Sequence, residues 1–381
     1  MTIDPVKLSQ ELIRCPSITP EDAGAIAVLE KVLTALGFKC TRLKFSDEGS
    51  AQVENLYARY GTASPNLCFA GHTDVVPVGD VEAWDVDPFA AEIRDGMLIG
   101  RGAVDMKPAI AAWVAGVEKF LEGNKEFRGS LSLLITGDEE DVAINGTVKV
   151  LQWMKKTGEK IDACVVGEPT NPQKLGEMAK IGRRGSMNFT LTVNGIQGHV
   201  AYPDKADNPV TNLINILHRL KNNKLDNGTD FFQPSNLEIT SIDVGNKTSN
   251  IIPAKATAKL NVRFNDNFNP ESLTRWVKAY CNEVTSQFIL NNEKGFPAFV
   301  TQPGFLSKTV VEAVKAVTGA APKLSTEGGT SDARFIKDFC PVIEFGLINN
   351  MAHKVNEQVA VEDIKNLAEI YKEIIARYFK G

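Results

Sequence analysis

The chain has 381 residues, 43% hydrophobic and 23% charged, which is long for one core and suggests two domains of soluble globular composition. A net charge of −5 leaves no basic surface for nucleic acid or anionic lipid. The start Met1-Thr2-Ile3-Asp4-Pro5 lacks the pattern of a secretory signal, and no apolar run reaches the length of a membrane span.

Helical and strand patterns alternate in the first part of the chain. Ile26, Leu29, Leu33 and Leu36 recur at helical spacing, with Gly37 as the terminating residue. Residues 66–70, 131–136 and 163–166 are short apolar runs that read as buried strands. Ile110, Trp113, Val117 and Leu121 mark a helix that stops at Gly123. This order predicts an α/β fold, with a mainly parallel sheet and helices on both faces. Polar ligands in such sheets collect beyond the carboxyl ends of the strands.

The pattern changes near Gly185. Phe189, Leu191 and Val193 alternate with polar residues as in a half-exposed strand. A helix follows on Val210, Leu213, Ile214, Leu217 and Leu220, then strands near 237–242 and on Leu260, Val262 and Phe264. A second helix is read through Leu273, Val277, Tyr280, Val284 and Phe288, and a last strand near 296–300, where Pro297 favours an edge. That order predicts a ferredoxin-like α+β insert. Alternation resumes after about residue 300 and closes in a helix with Ile364, Leu367, Tyr371 and Ile374 on one face. The expected domains are 1–182 with 298–381, and 183–297 as an insert. Six cysteines are scattered without CxxC spacing, as in a reduced cytoplasmic protein.

Five short motifs carry chemistry. Gly71-His72-Thr73-Asp74 follows a strand, and Asp74 is placed to accept the second ring N–H of His72; a plain turn histidine is the alternative. Asp105, in GRGAVDMK, either caps the next helix or bridges two metals with its two oxygens. The four acids Asp138, Glu139, Glu140 and Asp141 are a solvated loop or a cation site, in which one glutamate coordinates and its neighbour takes a proton from water. Glu168 follows another strand, and His353 stands late in the chain. Together His72, Asp105, Glu139, Glu140, Glu168 and His353 form the donor set of two adjacent zinc ions, in a hydrolase.

With GHTDVVPVGD (71–80), GRGAVDMK (100–107), LLITGDEE (133–140), VVGEPT (165–170), GRRGS (182–186), VNGIQGHVAYP (193–203), GGTSDARF (328–335) and HKVNE (353–357), the chain resembles the zinc-dependent aminoacylase and carboxypeptidase family of co-catalytic amidohydrolases. The resemblance covers nearly the whole chain in order. It implies two Zn2+ per subunit, with Co2+ or Mn2+ able to substitute. His72 and Glu168 would complete one site, Glu140 and His353 the other, and Asp105 would bridge them. It makes Glu139 the general base, Asp74 the supporting aspartate, and His199 a histidine that reaches a dimer partner's active site. Arg183, Tyr202, Asn250, Arg263, Thr330 and Asn349 fall where the family contacts substrate. It makes 1–182 with 298–381 the catalytic domain and 183–297 a dimerisation or lid domain, and the implied partners are a small N-acyl diamino acid and a second copy of the chain, in the cytoplasm. The alternatives are a deacylase of another acyl group, a dipeptidase, or a non-catalytic binding protein of this fold. The chain departs from the family wording at Pro108, Asp141-Val142, Ala352 and 247–250, and none of these removes a ligand.

Overall fold

The structure is a computed structural model that describes residues 2–380 except 125 and 294. The chain divides into two compact units: Met1–Ile181 with Thr301–Ser325 and Ser331–Gly381, and Gly182–Val300 with Thr326–Thr330. The last segment was expected in the first unit. It joins the second because Thr326 Oγ1 donates to the Phe231 carbonyl at 2.6 Å and Arg183 Nη1 donates to the Gly329 carbonyl at 3.1 Å.

The first unit is built on an eight-stranded sheet in the order Lys39–Phe45, Val53–Tyr60, Ser130–Thr136, Asn66–His72, Ala163–Val166, Val342–Glu344, Met178–Lys180, Lys323–Ser325. The four strands from Ser130–Thr136 to Val342–Glu344 run parallel; antiparallel pairings add Val53–Tyr60 and then Lys39–Phe45 on one side and Met178–Lys180 on the other, and Lys323–Ser325 runs parallel to Met178–Lys180. Every residue of Asn66–His72, Ser130–Thr136 and Ala163–Val166 is buried, as expected for strands covered on both faces. Register sets His72 opposite Thr136 and Ala70 opposite Val166, so three strands deliver their following residues to one edge.

Helix Lys107–Gly123 is buried around most of its circumference, not on one face, because Pro5–Ile13 and Val361–Tyr378 both pack against it. Pro108 is its second residue, where the missing N–H has no helical partner to lose. Phe69, on strand Asn66–His72, Trp113 and Tyr371 form an aromatic cluster, with ring centroids 4.8–5.7 Å apart. The Tyr371 hydroxyl is satisfied by the Phe345 carbonyl at 2.7 Å.

The second unit has the strand order Asn236–Asp243, Lys255–Phe264, Gly185–Asn194, Phe288–Asn292, all antiparallel, with helices Pro209–Asn222 and Pro270–Asn282. This is the β-α-β-β-α-β ferredoxin-like arrangement. Three expectations fail here. The last strand is Phe288–Asn292, whereas Phe299–Val300 pairs with Gly182–Arg183. Phe288 therefore belongs to a strand, because the helix ends at Asn282 and the chain turns at Val284 and Thr285, whose N–H groups both donate to the Cys281 carbonyl. In the first helix of this unit Ile214 points outward, and Ile216 takes the buried position beside Leu213, Leu217 and Leu220.

Candidate metal centre

His72 ends its strand fully buried. Its Nδ1 lies 2.8 Å from the Asp74 carbonyl oxygen, which can only accept, so Nδ1 carries a hydrogen and Nε2 is the nitrogen turned towards Asp105. The Asp74 carboxylate is 3.5 Å from Nδ1, farther than anticipated for the ring's partner. It accepts instead from the backbone N–H groups of Glu139, at 3.1 Å, and Glu140, at 3.0 Å. Asp74 thus ties the His72 loop to the loop of Glu139 and Glu140.

His72 Nε2 faces Asp105 Oδ1 at 3.1 Å and Glu168 Oε1 at 3.7 Å. On the other side, His353 Nε2 lies 3.4 Å from Asp105 Oδ2 and 3.0 Å from Glu140 Oε1. Asp105 therefore offers one oxygen to each histidine, the layout of a bridging carboxylate. Ligand atoms of His72, Asp105 and Glu140 lie within 4.8 Å of one another, as do those of His72, Glu139 and Glu168. The second grouping places Glu139 beside the donors of the first half-site.

The electrostatics fit cations. Burial opposes a charge on His72, yet hydrogen bonds to Asp105 and Asp74 and their negative charges raise its pKa well above the usual value. Hydrogen bonds to Asp105 and Glu140 raise His353 to about 10. Burial would raise Asp105, but its bonds to His353 and His72 hold it well below the carboxylate range. Burial, then the charges of Glu168 and Asp332, push Glu139 well up. Without metal, protons partly offset this concentration of carboxylates; two dications meet the same need with donors that suit them.

Several organising residues escaped the sequence reading. Glu357 is fully buried; its Oε1 accepts from Val104 N at 2.7 Å and Asp105 N at 3.2 Å, and its Oε2 pairs with Arg101 Nη1 at 2.7 Å. Arg101 also donates to the carbonyls of Lys354, at 3.2 Å, and Pro77, at 3.2 Å. This pair fastens the Asp105 loop to the His353 loop, where His353 has φ +63°, a rare conformation outside glycine. Asp138 is buried and accepts from the N–H groups of Ala143, Ile144 and Asn145 at 2.8–3.2 Å, so it shapes the acidic loop instead of facing solvent. The visible signal was an arginine between two glycines and an acid two residues beyond Val355. It does not specify a pair 256 residues apart in sequence.

Of the remaining expected residues, Asn349 is in the first unit, its N–H donating to the Asn171 carbonyl at 2.8 Å. Arg183, His199, Tyr202, Asn250, Arg263 and Thr330 are in the second. His199 is exposed, and its Nδ1 accepts from Ala201 N at 3.1 Å. Arg263 is half-buried beside Arg184, and burial, then that like charge, lower its pKa.

A sequence model of peptidase family M20/M25/M40 matches residues 68–377. The chain belongs to this family. It is 57% identical to a succinyl-diaminopimelate desuccinylase of Rhodospirillum centenum over 100% of this chain and 99% of that one. It is 54% identical to a protein of the same name from Ehrlichia canis, over 100% and 99%. Among solved structures it resembles an M20 metallo-carboxypeptidase of Sulfolobus solfataricus, with TM-score 0.78 at 18% identity over 99% and 100% of the two chains. An aminopeptidase of Bacillus cereus gives 0.79 at 19%, over 99% and 98%. These likenesses establish the mixed α/β fold with its mostly parallel sheet.

Proposed function

We propose that this metal-dependent hydrolase cleaves N-succinyl-LL-2,6-diaminopimelate to succinate and LL-2,6-diaminopimelate, in lysine and diaminopimelate biosynthesis. The carrying observation is the bridged donor set of His72, Asp105, Glu140, Glu168 and His353 with Glu139 beside it, in a chain more than half identical to desuccinylases along its full length. The proposed metals are two Zn2+, which Co2+ or Mn2+ can replace. When bound, such a pair lowers the pKa of a water and polarises the scissile carbonyl.

Glu139 takes the proton of the attacking water and returns it to the leaving nitrogen. Its half-buried position beside Glu168 and Asp332 favours that cycle, since a carboxylate with a raised pKa holds a proton readily. Asp74 keeps Glu139 and Glu140 in register through their backbone N–H groups. Substrate carboxylates are assigned to Arg183 and Arg263. For Arg263 the support is a half-buried guanidinium whose charged neighbour is another arginine. Tyr202, Asn250, Thr330 and Asn349 are assigned to the remaining substrate contacts. We also assign dimerisation to the second unit, with His199 donating to the oxyanion in its partner's site; the support is its exposed imidazole. Six free cysteines fit a reducing cytoplasm. Among the described residues no helix is long and apolar enough to cross a membrane.

The test is hydrolysis of N-succinyl-diaminopimelate beside N-acetylornithine by metal-replete protein. Preference for the acetyl substrate would reassign the enzyme within its family. Glu139→Gln should keep both metals and lower kcat by at least ~10²–10⁴-fold. A variant with near wild-type turnover would remove Glu139 from the base role.

A further inference from the structure

The ammonium of Lys107 is fully buried, and its hydrogen-bond partner is the Cys15 carbonyl at 2.7 Å, not a carboxylate. Burying an ammonium is costly, and an apolar chain of similar length would fill the same space more cheaply. The charge is therefore placed for what it holds. Lys107 is two residues beyond Asp105, and its own N–H donates to the Gly102 carbonyl at 3.2 Å. Cys15 begins a segment that grips the other histidine loop. The buried Ser17 hydroxyl donates to the Thr73 carbonyl at 2.6 Å, the Ser17 carbonyl accepts from Val75 N at 2.9 Å, and Thr19 N donates to the Val75 carbonyl at 3.1 Å. Thr73 and Val75 flank Asp74 and directly follow His72.

We propose that Lys107 and Ser17 are positioning residues of the metal centre, a two-point clamp acting through the segment 15–19. The clamp fixes the Asp105 loop relative to the His72 loop, and so holds His72 Nε2 at 3.1 Å from Asp105 Oδ1. A bridging carboxylate serves two ions only while that spacing is kept, and displacement of a supporting residue typically lowers metal affinity ~10–100-fold. The inference rests on the two-metal reading of the site, but its test uses no substrate.

Metal-free wild type, Lys107→Met, Ser17→Ala and the double variant are titrated with Co2+, following stoichiometry, affinity and the visible absorption of the bound ion. Wild type should bind two ions; failure to do so defeats the two-metal reading itself, whatever the variants do. Lys107→Met should lose ~10–100-fold in affinity with an altered spectrum, and Ser17→Ala a smaller share of that range. The double variant should lose less than the product of the single losses, because both act through one segment. Affinity and spectrum unchanged in folded Lys107→Met would overturn the clamp. Should Lys107→Met fail to fold, Ser17→Ala decides alone, since it removes one hydroxyl: wild-type affinity and spectrum there would reject the clamp. With zinc restored, kcat per folded, metal-loaded molecule should fall while KM is nearly unchanged; normalising to that fraction removes the loss of active enzyme that general destabilisation alone would cause.

Discussion

Met106 follows Asp105, and its side chain lies against the ends of the strands that lead to His72 and Glu168. A Cβ added at Gly71 would sit 2.5 Å from Met106 Cε, and one at Gly167 would sit 2.4 Å from Phe69 Cζ and 2.6 Å from Met106 Cε. These glycines precede His72 and Glu168, so the two side chains approach each other because their neighbours have no side chain. The two sites differ in what must yield. The methionine end can move, whereas the Phe69 ring is wedged against Trp113 and Tyr371. Gly167→Ala should cost ~1–3 kcal/mol and Gly71→Ala visibly less, measured by urea denaturation of metal-free protein. The reverse order would mean that the aromatic cluster, not the methionine, is the compliant part.

At the scale of elements, the strands and most helices were legible because burial imposes periodicity on them. Three apolar runs ending in polar motifs gave the sheet and the edge where ligands meet. The division of labour within those motifs was not legible. Asp138 and Glu139 are adjacent acids, yet one closes its own loop through three backbone N–H groups and the other is left for the proposed role of base. The helix through Phe288 was misread because an apolar i, i+4 pair continues past the point where backbone turns end the helix. Arg101, Glu357 and Lys107 were silent because what they bind is mostly backbone, which no side-chain pattern records. Asp138→Ala should free the N–H groups of residues 143–145, at ~1.5–3 kcal/mol for the charged hydrogen bonds lost. Hydrogen exchange should then speed in residues 139–146 while strand Asn66–His72 stays protected. Uniformly faster exchange would show the loop to be part of one cooperative core.

For the whole molecule, the net charge of −5 conceals how unevenly acid is distributed. Asp105, Glu139, Glu140 and Glu168 converge on two imidazoles, and in the metal-free chain His72 and His353 are raised by these neighbours, His353 to about 10. A histidine raised from 6.5 contributes stability that is complete below that value and is lost as pH climbs through about 10. Glu139, also raised, acts in the same direction, since its folded form retains a proton that the unfolded chain would release. Metal-free protein should therefore weaken steadily above neutral pH. Bound metal replaces those protons, so the gap between metal-loaded and metal-free melting temperatures should widen from about pH 6.5 towards 9. Zinc binding near neutral pH should also release protons, which calorimetry in two buffers of different ionisation enthalpy reads directly. An apparent binding enthalpy identical in both buffers, with a melting gap flat across that range, would show that the histidines are already neutral when metal arrives. The carboxylates would then have to be balanced by some other group in the metal-free protein.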